Sequence, residues 1–176
     1  MKICVFGASS NDIDKTYIAA GEQLGREMAA AGHELVFGGG QTGLMGAVSR
    51  GVKSGGGRIT GIAPTFFDLP GILYQECDEF IYTETMRERK DLMDQKSDAF
   101  IMTPGGIGTM EEFFEIYTLK QLERHNKPIG ILNVNGYYDE LIQMLVHTAE
   151  KGFMDIKCID LFCVAEDPAE LLEKMF

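Results

Sequence analysis

The chain has 176 residues, 45% of them apolar and 24% charged, with a formal net charge of −11 at pH 7. That length suits a single domain, residues 1–176, with a proper core, and no apolar run approaches the roughly 20 residues that a membrane helix needs. The acidic balance argues against a nucleic-acid polymer as partner, because phosphate neutralisation requires a basic face; a single nucleotide held by local N–H groups remains compatible with it.

Short β-branched or aromatic runs alternate with helical stretches from one end to the other. The run Lys2–Phe6 reads as a strand and breaks into Gly7-Ala8-Ser9-Ser10-Asn11-Asp12 too early for a signal peptide, so a cytoplasmic protein is expected. Helical periodicity over Asp14–Ala31 ends at Gly32, where a C-terminal cap belongs. There follow a strand at Glu34–Phe37, a glycine-rich turn, a helix at Leu44–Ser54 and a strand at Arg58–Ala63. Pro64 to Asp78 is the longest irregular stretch, with Pro64, Pro70 and Gly71 opposing regular structure. Then come strand Glu79–Tyr82, helix Thr85–Ser97, strand Asp98–Met102 and helix Thr109–Arg124. Strand Pro128–Leu132, helix Tyr137–Lys151, strand Leu161–Val164 and helix Pro168–Lys174 complete the chain. Several strands are apolar on successive residues, as expected where both faces are covered. This alternation predicts a doubly wound, mainly parallel α/β sheet with helices on both faces.

In such a sheet, ligands bind beyond the carboxyl ends of the strands, where the strand order reverses. Three loops are therefore candidates: Gly7–Ser10, Gly38–Gly46, and Pro104-Gly105-Gly106-Ile107-Gly108-Thr109 with the helix behind it. The last has the makings of an anion site, since small residues let N–H groups converge and the helix N-terminus adds partial positive charge. A carboxylate beside a bound phosphate is electrostatically costly, so Glu112 in that helix points to a chemical task. The helix dipole is expected to lower its pKa and keep it ionised. Gly38, Gly40 and Gly43 formally match a dinucleotide fingerprint, but the following strand ends in Ala63-Pro64-Thr65 without the ribose-binding acid. A tight turn for close packing explains that match equally well. In Met86-Arg87-Glu88-Arg89-Lys90, Arg87 and Glu88 fit a solvated face; Arg89 and Lys90 fit either that or cations drawn to a nucleotide.

The four cysteines (Cys4, Cys77, Cys158 and Cys163) have no zinc spacing, and Cys4 and Cys163 read as small core residues. No His, Cys or acid cluster has metal-ligand spacing, so no metal is expected.

With these residues in view, the chain resembles the Lonely Guy (LOG) family, often labelled "possible lysine decarboxylase". The family motif P-G-G-x-G-T-x-x-E is matched by Pro104, Gly105, Gly106, Gly108, Thr109 and Glu112, and M-x-x-R-K by Met86, Arg89 and Lys90. G-G-G-x-x-G-L-M-G matches Gly38 to Gly46, and similarity continues through Lys127–Asn133 and Gly136-Tyr137-Tyr138. Two departures stand out: Gly7-Ala8-Ser9-Ser10 in place of C-G-S-S, and Arg87 where many members carry His.

The resemblance implies a Rossmann-like phosphoribohydrolase, commonly a homodimer, that splits a nucleoside 5′-monophosphate into free base and ribose 5-phosphate. By carry-over Arg89 and Glu112 are its catalytic pair. Expected substrate contacts are Ser9, Gly39, Gly40, Thr42, Gly43, Met86, Lys90, Gly105, Gly106, Ile107, Gly108, Thr109 and Glu111. No cofactor is expected. The decarboxylase label would require pyridoxal phosphate on a lysine, and Lys90 and Lys96 lie in a charged helix with no partner for the ring nitrogen. A non-enzymatic nucleotide or cofactor carrier of the same fold is the alternative, though a pure binder gains nothing from Glu112. AMP and an N6-prenylated AMP differ by an apolar tail, and the 64–78 segment and Met93 are candidates to line a pocket for it.

Overall fold

A computed structural model describes all 176 residues. Seven strands run through it: β1 (Lys2–Phe6), β2 (Glu34–Phe37), β3 (Ile59–Pro64), β4 (Glu79–Thr83), β5 (Ala99–Met102), β6 (Ile129–Leu132) and β7 (Cys163–Ala165). Six α-helices alternate with them: α1 (Lys15–Ala30), α2 (Gly43–Ser54), α3 (Met86–Gln95), α4 (Ile107–Gln121), α5 (Asp139–Glu150) and α6 (Pro168–Met175). All strands pair in parallel, in the order β4-β3-β2-β1-β5-β6-β7. The fold is thus the expected Rossmann-like α/β arrangement, with a sheet that is wholly rather than mainly parallel.

Alternate strand residues feed two separate cores, as the two-residue pleat requires. Ile3, Val5, Leu35, Ala99 and Ile101 pack beneath Leu24 and Met28 of α1, Val48 and Val52 of α2, and Leu171 of α6. Cys4, Phe6, Val36, Phe100 and Met102 face Met93 of α3, Phe113 and Tyr117 of α4, and Leu145 of α5. Both faces being apolar explains why the strands read as continuous hydrophobic runs rather than as alternating ones.

The chain builds outward from β1 to β4, then returns to place β5 on the other side of β1. The order therefore reverses between β1 and β5, and the loops after these two strands diverge toward opposite faces. That opening is where ligands enter a doubly wound sheet.

The largest boundary difference is in α4. It starts at Ile107, two residues before the expected Thr109, because Gly106 is extended (φ −88°, ψ −156°) and serves as N-cap. It stops at Gln121, and Glu123 soon takes a left-handed φ of +57°. Leu161, expected in the last strand, ends a 3-10 turn over Ile156–Leu161 instead.

The irregular 64–78 segment is anchored. After a 3-10 turn at Thr65–Phe67 it crosses the glycine loop, with an antiparallel bridge between Gly40 and Leu73. Gln41 N–H donates to the Ile72 carbonyl (2.9 Å), and Tyr74 N–H donates to that of Gly39 (2.8 Å).

Candidate active site

The start of α4 is an open set of donors. A helix leaves its first N–H groups without intrahelical partners, and Gly106 offers no side chain to cap them. The preceding loop has its carbonyls turned into the protein. Tyr138 Oη donates to the Thr103 carbonyl (2.8 Å), Ala8 N–H to that of Pro104 (3.1 Å), and Tyr137 Oη to that of Gly105 (3.0 Å). With three successive carbonyls held inward, the N–H groups at the helix start are left to face outward, where the dipole favours an anion.

The glycine turn before α2 is used differently. Thr42 Oγ1 donates to the Ser9 carbonyl (2.6 Å), Gly43 N–H to Asn11 Oδ1 (3.0 Å) and Met45 N–H to the Ala8 carbonyl (3.2 Å). Gly43 sits at φ +59°, and a β-carbon there would stand 2.5 Å from the Ala8 carbonyl oxygen. Loop 7–12 therefore closes onto this helix start and takes up its donors.

Between the two turns lies an ion pair. Thr85 caps α3 through a capping box with Glu88, whose carboxylate accepts from the N–H groups of Glu84 (2.9 Å) and Thr85 (3.3 Å). The acid expected on a solvated face thus has a local structural task. One residue on, Arg89 turns inward. Its Nη1 donates to Glu112 Oε1 at 2.8 Å and its Nε to the Ile62 carbonyl at 3.3 Å. The two side chains are only 8% and 12% exposed.

Burial raises the Glu112 carboxyl above its ordinary value, and the Arg89 guanidinium pulls back only part of that rise. The expected lowering by the helix dipole is overturned: the dipole acts within the first turn, and Glu112 is the sixth residue of α4. Desolvation decides instead.

Lys90 also departs from expectation. Its ammonium pairs with Glu111 and with Glu115 (2.7 Å), and Lys90 itself does not line the main cavity. Burial alone would lower its pKa, but these carboxylates raise it above the ordinary value. A lysine so held is poorly suited to Schiff-base formation, which needs a deprotonated amine.

A cavity of about 760 Å³ opens over the pair, within the range typical of small-molecule sites. Of the expected contacts, Ser9, Gly40, Thr42, Met86, Gly106, Gly108, Thr109 and Glu111 line it together with Arg89 and Glu112. Gly39, Gly43, Lys90, Gly105 and Ile107 do not. Gly39 and Gly43 hold the turn in its shape (φ +80° and +59°), Gly105 is anchored by Tyr137, and the Ile107 side chain points to solvent. Met93 is buried in the core behind the site rather than in its wall.

The other wall is apolar: Met45, Phe67, Leu69, Ile72 and Leu73 with Met86. Phe67, Leu69, Ile72 and Leu73 belong to the 64–78 segment expected to line such a pocket, although individually they carry no motif. No group of three or more His, Cys, Asp or Glu side chains is placed to hold a metal ion, and no helix is long and apolar enough to cross a membrane.

Comparison with known proteins identifies the family. The model of the family described as "Possible lysine decarboxylase" matches residues 45–175. A rice (Oryza sativa subsp. japonica) protein named "Probable cytokinin riboside 5'-monophosphate phosphoribohydrolase LOGL2" is 40% identical over 99% of this chain and 71% of its own length. The Arabidopsis thaliana cytokinin riboside 5'-monophosphate phosphoribohydrolase LOG2 is 38% identical over 98% of this chain and 81% of its own. Among solved structures, a molybdenum cofactor binding protein from the phototrophic bacterium Rippkaea orientalis superposes with a TM-score of 0.74. It is 24% identical, covers 98% of this chain and 93% of its own, and so shares the fold. From the proline-glycine motif, the buried Arg89–Glu112 pair and these matches along the whole length, the chain belongs to the Lonely Guy family.

Proposed function

We propose that this protein is a phosphoribohydrolase that cleaves the N-glycosidic bond of a nucleoside 5′-monophosphate, AMP or an N6-modified AMP, yielding free base and ribose 5-phosphate. The observation that carries the reading is the buried Arg89–Glu112 pair, set one helical turn behind an uncapped helix start in the same cavity. Glu112 lies four residues beyond Gly108, about 6 Å along the helix axis, comparable with the reach of a ribose from its 5′-phosphate to C1′. The activity named for the relatives supports the same conclusion.

In this reading the 5′-phosphate is held by the N–H groups around Gly106, Gly108 and Thr109. Water attacks C1′ as the C1′–N bond breaks, and the departing base takes up a proton. The transition state carries oxocarbenium character, which an ionised carboxylate beside C1′ stabilises. Glu112 supplies that carboxylate and orients the water. Arg89 keeps the buried carboxylate charged and offers donors to the ribose hydroxyls or the departing base. The apolar wall of Met45, Leu69, Ile72 and Met86 faces the base end and suits an apolar N6 substituent.

A homodimer in the cytoplasm is part of the same proposal. Exposed Leu122, Met144 and Phe153 are available for a subunit contact, and four free cysteines suit a reducing compartment.

The test is release of free base from AMP, GMP, CMP and N6-isopentenyl-AMP, with Glu112→Gln alongside. Adenine-type release by the parent and little by the variant is the expected result. Equal rates for both proteins would remove Glu112 from the mechanism, and absence of base release by the parent from every nucleotide would defeat the hydrolase reading.

A further inference from the structure

The Arg89 guanidinium is held through two of its nitrogens by two different elements, and its third nitrogen rests against a glycine. Nη1 meets Glu112 on α4 and Nε meets the Ile62 carbonyl on β3. The third nitrogen, Nη2, occupies the space that a β-carbon would fill at Gly38, the first residue after β2. A side chain there would overlap Nη2 and stand 3.0 Å from Cζ. Gly38 has no positive φ and makes no left-handed turn, in contrast to its neighbour Gly39 at +80°. Backbone conformation therefore gives no reason for a glycine at 38; the guanidinium does.

We propose that Gly38 is a positioning residue, whose missing side chain forms the seat that sets the Arg89 guanidinium against Glu112. The end of an arginine is ordinarily free to step aside, but here it is buried and fixed by two hydrogen bonds, so stepping aside means losing them. A methyl group at 38 drives the guanidinium off the seat and leaves Glu112 as a buried carboxylate with a weakened partner. The glycine stretch 38–43 then does more than close a turn: its first residue shapes the catalytic pair.

The inference rests on the hydrolase reading only for its activity readout. The experiment is a double-mutant cycle on AMP hydrolysis with Gly38→Ala, Arg89→Lys and the two combined. Lysine keeps the charge and lacks the Nη2 atom that meets position 38. Gly38→Ala is expected to lower kcat about 10–100-fold with little change in KM, as misplacement by about 1 Å does. In the Arg89→Lys background the same change is expected to cost less than about threefold, which is the sign of coupling.

The pH profile adds a readout that a merely structural defect would not move. The groups around Glu112 are Arg89, Lys90 and Asp94 from α3, Glu111 and Glu115 on its own helix, and Cys4 on β1, whose thiol burial keeps neutral. Arg89 is the largest influence favouring the charged form. Its displacement in Gly38→Ala moves the acid limb of kcat/KM to higher pH.

A crystal structure of Gly38→Ala with Arg89 Nη1 still hydrogen-bonded to Glu112 overturns the inference, as does an equal loss of activity in both backgrounds. Should Gly38→Ala fail to fold, the combined variant decides: a folded double variant supports the seat, an unfolded one refutes it. Absence of AMP hydrolysis by the parent protein would instead defeat the hydrolase reading, leaving the crystal structure to judge Gly38.

Discussion

Two glycine-rich turns stand side by side at the carboxyl edge of the sheet, each ending a strand and opening a helix, and they have opposite uses. Before α2, the N–H groups of Gln41, Gly43 and Met45 donate to the Ile72 carbonyl, Asn11 Oδ1 and the Ala8 carbonyl. Before α4 the carbonyls are the anchored groups, through Ala8, Tyr137 and Tyr138, and the helix start has no cap. The composition of the two turns is nearly the same. What separates them is which backbone groups the rest of the protein has already engaged. A glycine loop before a helix is thus an anion site only if its donors are still free, and the closed turn serves the open one by giving Arg89 its seat.

The sharpest way to break this comparison is at Glu112, the residue proposed to turn the open site from a binder into an enzyme. Glu112→Gln is expected to lower kcat about 10²–10⁴-fold while leaving nucleotide binding close to that of the parent, measured by calorimetry. The acid limb of the parent's kcat/KM profile belongs above the ordinary glutamate range, because burial raises the Glu112 carboxyl. The sign follows directly: the carboxylate must be charged to stabilise the oxocarbenium ion, and lowering the pH through that raised pKa protonates it and removes activity. A limb at or below the ordinary carboxylate range would mean that the pair is better solvated than its geometry indicates.

How far the sequence discloses this site depends on the range of the interaction. The inner strands, covered on both faces, show as apolar runs and are visible as local patterns, whereas the short edge strand β7 is displaced from its expected start at Leu161. Arg89 and Lys90 were not separable that way. Neighbouring helix residues point about 100° apart, and only the three-dimensional placement of α4 shows that Arg89 turns in to Glu112 while Lys90 turns to Glu111 and Glu115. The pairing of Arg89 with Glu112 came from matching a known motif, since nothing in their spacing brings two helices together. The sequence points the Glu112 pKa in the wrong direction because burial is a tertiary property. The 64–78 segment is legible as a pocket wall only as a whole; its individual lining residues are not, because irregular backbone has no period and their position depends on hydrogen bonds to Gly39 and Gln41.

A next, smaller effect tests the open turn alone. Ile107 is the first residue of α4, its side chain is exposed, and the residue before it is extended. Proline is welcome at that position, so Ile107→Pro removes a single N–H donor with little harm to the helix. If that donor serves the phosphate, KM for AMP rises about tenfold or more, the worth of one hydrogen bond to a charged group. An unchanged KM would assign the phosphate to the donors of Gly108 and Thr109 alone. Tyr137→Phe acts more gently at the same place, freeing the Gly105 carbonyl. Its expected cost is a few-fold in KM, that of one neutral hydrogen bond, with kcat little changed.

The smallest expected effect is at the closed turn and runs the other way. Asn11→Ala removes the side-chain oxygen that accepts from Gly43 N–H at the start of α2. Loss of such a cap costs about 1 kcal/mol, or a fall in Tm of about 2–4 °C for a chain of this size. Asn11 does not line the cavity, and the donor it leaves bare lies on the side of the turn packed against loop 7–12. KM for AMP is therefore expected to stay near the parent value while Tm drops, the reverse of the Ile107→Pro result. Were Asn11→Ala instead to tighten phosphate binding, the freed Gly43 N–H would be reaching the ligand. The two turns would then be alternative sites for one anion rather than a closed scaffold beside an open site.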